Sequence, residues 1–127
     1  MNKLPYEVID IIDLYVGFLP KSKEELEEAV DLYCTNKEEA IKKYDEISNW
    51  NKTLITNMSN LFENKQDFND NINNWDVSNV TNMVGMFFLA VSFNQPLNSW
   101  DVSSVTDMEN IFCYTPSFDR SNALWYS

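Results

Sequence analysis

The side chains in this sequence that could do acid–base chemistry are carboxylates, because the chain has no histidine to act as a base or metal ligand. It contains 20 Asp and Glu residues, 9 Lys and Arg residues and no His. Asp76 and Asp101 lie 25 residues apart, and on adjacent turns of a repeat their carboxylates would lie roughly 5 Å apart, as an acid and base pair could. Because both residues occupy one repeat position, a solvated ladder or a local backbone hydrogen bond is the simpler interpretation. We therefore expect no enzyme and no catalytic residue.

A second candidate is a calcium loop, since the pattern Asp-x-Asn-x-Asn begins at Asp67. An EF-hand loop needs glycine at its sixth position and a bidentate glutamate at its twelfth. This chain has Ile72 and Ser78 at those positions, so we reject an EF-hand. Weak calcium binding by the acidic surface is the remaining alternative. We predict no metal site and no cofactor.

The cysteines and glycines are too few for other common sites. Cys34 and Cys113 cannot supply the four ligands of a structural zinc ion, and no histidine is present to activate either thiol. Their unpatterned spacing predicts two reduced, partly buried thiols rather than a disulfide. The glycines are Gly17 and Gly85, so the sequence contains no glycine-rich phosphate-binding loop.

Charge and composition restrict the class of protein. The formal net charge of −11 argues against a nucleic-acid partner, because phosphate contacts require Lys and Arg. Hydrophobic residues at 44% and aromatic residues at 14% predict a folded chain rather than a disordered one. A length of 127 residues fits one hydrophobic core.

The chain carries an internal repeat of 25 residues, which is read most easily from its tryptophans. Each of the first three Trp residues is followed at fixed offsets by residues of the same kind, including Thr or Ser, Met, two Phe positions and an Asn or Asp. The four tryptophans are Trp50, Trp75, Trp100 and Trp125. One repeat cannot bury its own apolar face, so the copies are expected to stack, with the Trp, Met and Phe side chains in the core.

Within one repeat the pattern predicts a strand and a helix. Val80, Met83, Met86 and Phe87 have the spacing of a helical stripe. Residues 72–77 and 97–102 are the natural positions for short strands, and residues 122–126 for a final one. These elements predict an α/β fold, a short leucine-rich-repeat-like solenoid of parallel strands and short helices.

Residues 1–49 lack the repeat and are predicted to form a helical cap on residues 50–127, which hold three repeats and the terminal strand. A first helix is expected after Pro5, ending near Gly17. Ser22 and Glu25 form a capping box that opens a second helix, and Asn36 starts a third. The expected buried face of the second helix consists of Leu26, Ala29, Val30 and Tyr33.

The segment from Trp75 to Asn98 resembles the BspA-like surface-protein repeat, a module related to leucine-rich repeats. Residues 23–50 are similar to the lead-in that precedes those repeats. The resemblance implies a solenoid with an interaction role and no catalytic residues. Bacterial members carry an export signal and a lipidation cysteine, which this sequence lacks, so the resemblance favours an intracellular viral or protist protein, for example of a giant virus.

The start of the chain has a weaker resemblance to the F-box, whose Leu-Pro and following apolar residues dock onto a Skp-type ubiquitin-ligase adaptor. An ordinary amphipathic capping helix explains the same residues and is the preferred interpretation. The F-box-like positions are Leu4, Pro5, Val8, Ile9 and Ile12.

The sequence therefore predicts a non-enzymatic protein–protein interaction module. One alternative is a structural component of a virion or other assembly, which docks or self-associates through an uncapped C-terminal end, and another is an F-box-like adaptor. Candidate partner-binding residues are Asn49, Asn51, Asn74, Asp76, Ser99, Asp101, Trp125 and Tyr126.

The expected location is intracellular, in a host cytoplasm or a virion. The first twenty residues are interrupted by Glu7, Asp10 and Asp13 and show no signal-peptide cleavage site. No apolar run approaches the roughly 18 residues needed to cross a bilayer. We expect no membrane insertion.

Overall fold

The structure is a computed structural model that describes residues 17–127. Two α-helices come first: α1 spans Lys23–Thr35 and α2 spans Lys37–Tyr44. A 3-10 helix follows at Ile47–Asn49, and a second lies near the other end at Arg120–Asn122. The first helix expected from the sequence lies largely outside the described residues.

Both helices begin where their capping residues predict. The Ser22 hydroxyl accepts a hydrogen bond from the Glu25 N–H, and the Asn36 side chain accepts one from the Glu39 N–H. These side chains satisfy N–H groups that have no partner within the helix. The buried residues of α1 are those that the sequence predicts, Leu26, Ala29, Val30 and Tyr33.

Residues 51–125 form three stacked coils of one repeat each: coil 1 (51–75), coil 2 (76–100) and coil 3 (101–125), the last of which contains the second 3-10 helix. Four alternate N–H groups in each of coils 1 and 2 donate to carbonyls of the next coil, and fewer bonds run the other way, such as those from the Thr81 and Thr106 N–H groups to the Thr56 and Thr81 carbonyls. The Met58 N–H, for example, donates to the Asn82 carbonyl at 2.8 Å, and the Met83 N–H donates to the Asp107 carbonyl at 2.9 Å. The backbone itself therefore joins the coils.

Aromatic rings at equivalent repeat positions lie over one another in the core. Phe87 stacks on Phe62 with ring centroids 5.4 Å apart, and on Phe112 at 5.7 Å. A second column is formed by Phe68, Phe93 and Phe118. Phe62 and Phe87 are fully buried, so the expectation that the Met and Phe positions form the core is confirmed for the first two coils.

The predicted α/β solenoid of parallel strands and short helices is wrong. Residues 17–127 contain no strand, and the parallel contacts between coils reduce to single bridges, Asn57 with Asn82 and Asn82 with Asp107. The residues expected to form helices and strands in each coil are turns and irregular segments. The expected terminal strand at residues 122–126 is also absent, because residue 122 ends a 3-10 helix and residues 124 and 125 form a turn.

Two left-handed residues in each coil explain why no helix forms. Asn60, Gly85 and Asn110 share one repeat position and have φ between 59 and 61°. Four residues later, Asn64, Leu89 and Tyr114 have φ between 55 and 63°. Residues with positive φ end a right-handed helix, so the chain turns repeatedly and aims alternate N–H groups at the next coil.

The two helices cover coil 1 and are fastened to it by polar contacts. The Asp70 carboxylate accepts a hydrogen bond from the Tyr33 hydroxyl at 2.6 Å and pairs with the Lys37 ammonium at 2.8 Å. Lys65 pairs with Asp31 at 2.6 Å. The face of coil 1 turned away from coil 2 is thus occupied by α1 and α2. Of the helices described, none has the length and apolar character required to traverse a bilayer.

Candidate functional site

The outer face of coil 3, which we call the open end, exposes side chains that the other coils bury. Met58 and Met83 are fully buried, whereas Met108 at the same repeat position is only partly buried. Phe112, Phe118 and Trp125 are likewise only partly buried, whereas their equivalents in coils 1 and 2 are buried. The open end is therefore an apolar surface with no described element packed on it.

The open end also carries a row of backbone donors. In coil 2 the N–H groups of Met83, Gly85, Phe87 and Leu89 all donate to carbonyls of coil 3. The equivalent N–H groups of coil 3 make no hydrogen bond to any residue between 17 and 127; they belong to Met108, Asn110, Phe112 and Tyr114. Unpaired backbone groups beside apolar side chains form a template for pairing with another segment.

The repeat that builds this end corresponds to a known family. A model described as "Mycoplasma protein of unknown function, DUF285" matches residues 31–127, which include the last five residues of α1, all of α2 and all three coils. The chain belongs to the DUF285 family. The predicted membership of the BspA-like repeat family is wrong, because DUF285 is the family whose model matches. No curated protein and no solved structure matches the chain.

In this DUF285 chain, the side chains of three predicted partner-binding residues accept hydrogen bonds from nearby backbone N–H groups. The side-chain oxygens of Asn51, Asp76 and Asp101 each accept the N–H of the residue two positions later, at 3.0 Å in every coil. Hydrogen bonds from Ser78 and Ser103 hold the pKa values of Asp76 and Asp101 below the usual range. These side chains fix a turn at the start of each coil.

The other predicted polar residues lie on two shallow grooves. Asn49, Asn51, Asn74 and Asp76 line a groove of about 430 Å³ beside the start of coil 1. Asn74 and Ser99 line a larger groove of about 820 Å³, together with residues of the junction between the helices and coil 1. Asp101 lines neither groove.

Trp125 and Tyr126, the two predicted aromatic binding residues, lie at the open end. Their rings contact Phe112, with centroids 6.2 and 5.2 Å apart, and both are partly buried. The structure therefore places them apart from the groove residues. The F-box-like positions Leu4, Pro5, Val8, Ile9 and Ile12 lie outside the described residues.

Sequence reasoning missed Lys52, which lines the smaller groove. Its side chain is 3% exposed, and its Nζ lies 4.7 Å from the centroid of the Trp75 ring. The pKa of Lys52 is about 7, because burial lowers it by more than the nearby Asp76 carboxylate raises it. The signal was present in the repeat, because the equivalent positions hold Val77 and Val102. Between residues 17 and 127, no three His, Cys, Asp or Glu side chains gather as a metal site requires.

Proposed function

We propose that this protein is a protein-binding module that recognises its partner at the open end, where a partner segment adds to the stack as a further coil. The observation that carries the proposal is the row of four unpaired N–H groups beside the exposed faces of Met108, Phe112 and Phe118. In coils 1 and 2 the same arrangement is covered by the following coil.

The chemistry of the open end specifies what the partner segment must present. It needs backbone carbonyls at every second residue to accept the donors, and apolar or aromatic side chains to cover the rings. Coil 3 holds four acidic residues and one basic residue, Arg120, so basic side chains at the edge of the partner segment are favoured. A segment with the character of coil 2, with added lysines, meets these requirements.

A second copy of this chain is a poorer occupant. Two open ends placed face to face would offer the four-donor row of each coil 3 only one equivalent acceptor, the Thr106 carbonyl, so most of the donors would stay unpaired. The carbonyl face of coil 1 that would accept them is covered by α1 and α2 through Asp70, Tyr33 and Lys65. We therefore favour a different protein over self-association.

A synthetic peptide with the sequence of residues 76–100 tests the proposal, because its carbonyls accept the equivalent bonds within this chain. Titration of the labelled peptide with the full protein is followed by fluorescence anisotropy. We expect saturable binding that Met108→Asp weakens by at least about tenfold, because the substitution places a charge on the apolar face.

The matched control is Leu54→Asp, which adds the same charge at a side chain of coil 1 that is 53% exposed. It should change the affinity by no more than about twofold from that of the unsubstituted protein, which covers the general effect of one more negative charge. Equal loss in both variants, or saturable binding of a scrambled peptide, would rule out recognition at the open end.

The two wider hypotheses, a component of a virion or other assembly and a location inside a cell, stay predictions. Docking through the open end is compatible with a role in an assembly, since an added coil continues the stack. The F-box-like alternative depends on residues 4–12, and no observation on residues 17–127 favours it.

A further inference from the structure

Lys52 occupies a position where the repeat calls for an apolar residue. Val77 is its equivalent in coil 2 and is 1% exposed, and Val102 is its equivalent in coil 3. Packing alone is therefore satisfied by valine at this position. The lysine brings an amine to a place from which the fold otherwise excludes charge, at an energetic cost that valine would avoid.

The surroundings of the Lys52 amine are apolar on one side and polar on the other. Nζ lies 4.7 Å from the centroid of the Trp75 ring, and Lys52 lines the same groove as Asn49, Asn51 and Asn74. In the described part of the chain Nζ makes no hydrogen bond and no ion pair within 4.0 Å. The volume of about 430 Å³ admits a small organic molecule.

The charge state of the amine follows from this environment. A pKa of about 7 leaves about half of the Lys52 side chains neutral at pH 7. An exposed lysine is neutral in only about 0.03% of molecules at that pH. Asp76 is the charged group that opposes deprotonation of Lys52 in the described region.

We propose that Lys52 is a nucleophilic amine that condenses with small neutral aldehydes entering this groove. The nitrogen lone pair attacks the carbonyl carbon, and a proton moves from nitrogen to oxygen to give a carbinolamine. Loss of water then forms the C=N bond of a Schiff base, with no change in oxidation state. The proposal is independent of binding at the open end, because Lys52 lies in coil 1.

The experiment uses propionaldehyde and cyanoborohydride, which reduces the Schiff base to a stable alkylamine. The full protein is labelled at pH 7, and the initial rates at its eight lysines are compared by peptide mapping. We expect Lys52 to react at least about tenfold faster than exposed Lys21, since its larger neutral fraction outweighs its shielding. A rate at Lys52 no higher than that at Lys21 would overturn the proposal.

Two variants serve as a matched pair. Asp76→Asn removes the charge that opposes deprotonation but keeps the side-chain oxygen that caps the turn, as Asn51 does in coil 1. It should raise the Lys52 rate at pH 6 by about threefold, whereas Asp101→Asn should leave it unchanged. Equal effects of both variants would contradict the proposed environment. Loss of the preference for Lys52 in denaturant checks that the fold creates it.

Discussion

Trp75 donates its indole N–H to the carbonyl oxygen of Ile47, 28 residues earlier, at a distance of 2.8 Å. Trp75 is 2% exposed, so the bond is shielded from water. The same bond recurs at the same separation in the next two coils, from Trp100 to Ile72 and from Trp125 to Leu97. Each of these Trp residues thus packs its ring in or against the core and bonds its coil through the indole nitrogen to the segment before it, which is the first 3-10 helix for Trp75 and the preceding coil for Trp100 and Trp125.

Removal of the Trp75 ring should strongly destabilise the protein. We expect Trp75→Ala to lower the free energy of unfolding by about 3–5 kcal/mol, because it leaves a cavity and an unpaired carbonyl. Trp125→Ala removes the same repeat position at the open end, where the ring is only partly buried, and should cost about half as much. Urea denaturation of both variants measures the difference. Equal losses would contradict the burial gradient along the stack.

Lys52→Val should stabilise the fold. The folded-state pKa of about 7 lies below that of an unfolded lysine, so the unfolded state binds more protons and stability rises between pH 7 and 10. Valine removes this dependence and should add about 2 kcal/mol at pH 7, since attraction to the Trp75 ring offsets part of the cost of burial.

The control for Lys52→Val is Lys21→Val at an exposed position. Melting temperatures of the wild type and both variants are compared from pH 6 to 10. The advantage of Lys52→Val should shrink as the pH approaches 10. An advantage that stays constant with pH would show that titration of Lys52 is not its cause.

Gly85→Ala should be destabilising for two separable reasons. Gly85 has φ of 59°, and a Cβ added there would lie 2.5 Å from the Asn60 side-chain nitrogen. We expect a loss of about 2 kcal/mol. Asn60→Gly in the same molecule removes the clash but not the backbone strain, so about half of the loss should be recovered in a double-mutant cycle. Full additivity of the two substitutions would rule out the clash.

Asp70→Asn tests the junction between the helices and coil 1. Burial raises the pKa of Asp70, but hydrogen bonds from Lys37 and Tyr33 outweigh it and hold the pKa below its usual value. The ionised carboxylate therefore stabilises the fold above about pH 4, and this contribution is lost as the pH falls through the folded pKa. We expect a loss of about 1 kcal/mol at pH 7, because Lys37 is half exposed. Thermal melting from pH 7 down to pH 2.5 should show the difference shrink as the pH falls.

The helices and the repeat could be predicted from the sequence because both depend on local or periodic signals. Ser22 and Asn36 cap helices through contacts three residues away, and the tryptophan spacing is visible by inspection. Capping contacts between residues close in sequence, and a strict repeat, can both be recognised without knowledge of the fold.

The internal structure of each coil could not be predicted, because Leu89 and Tyr114 adopt a left-handed conformation that their residue types disfavour. The spacing of Val80, Met83 and Phe87 fits one face of a helix. In the structure a series of turns buries these three side chains instead, so the same pattern arises without a helix. The backbone bonds to the next coil stabilise these turns, and such bonds exist only in the assembled stack.

The candidate sites were partly within reach of the sequence. Trp125 and Tyr126 were predicted as binding residues from the sequence, and both lie at the open end against Phe112. The donor row depends on the direction of the bonds between coils, which residue types do not reveal. Lys52 could be detected in the sequence by comparison with Val77 and Val102. Its burial against Trp75, which makes the amine a candidate nucleophile, is visible only in the structure.

Amide hydrogen exchange, read by NMR with and without the peptide of residues 76–100, tests the central claim about the open end most directly. In the free protein the N–H groups of Met108, Asn110, Phe112 and Tyr114 should exchange rapidly, while their equivalents in coil 2 are protected. Saturating peptide should slow the four amides by at least about tenfold. Protection of these amides in the free protein, or no protection by bound peptide, would contradict the claim that a partner segment adds here as a coil.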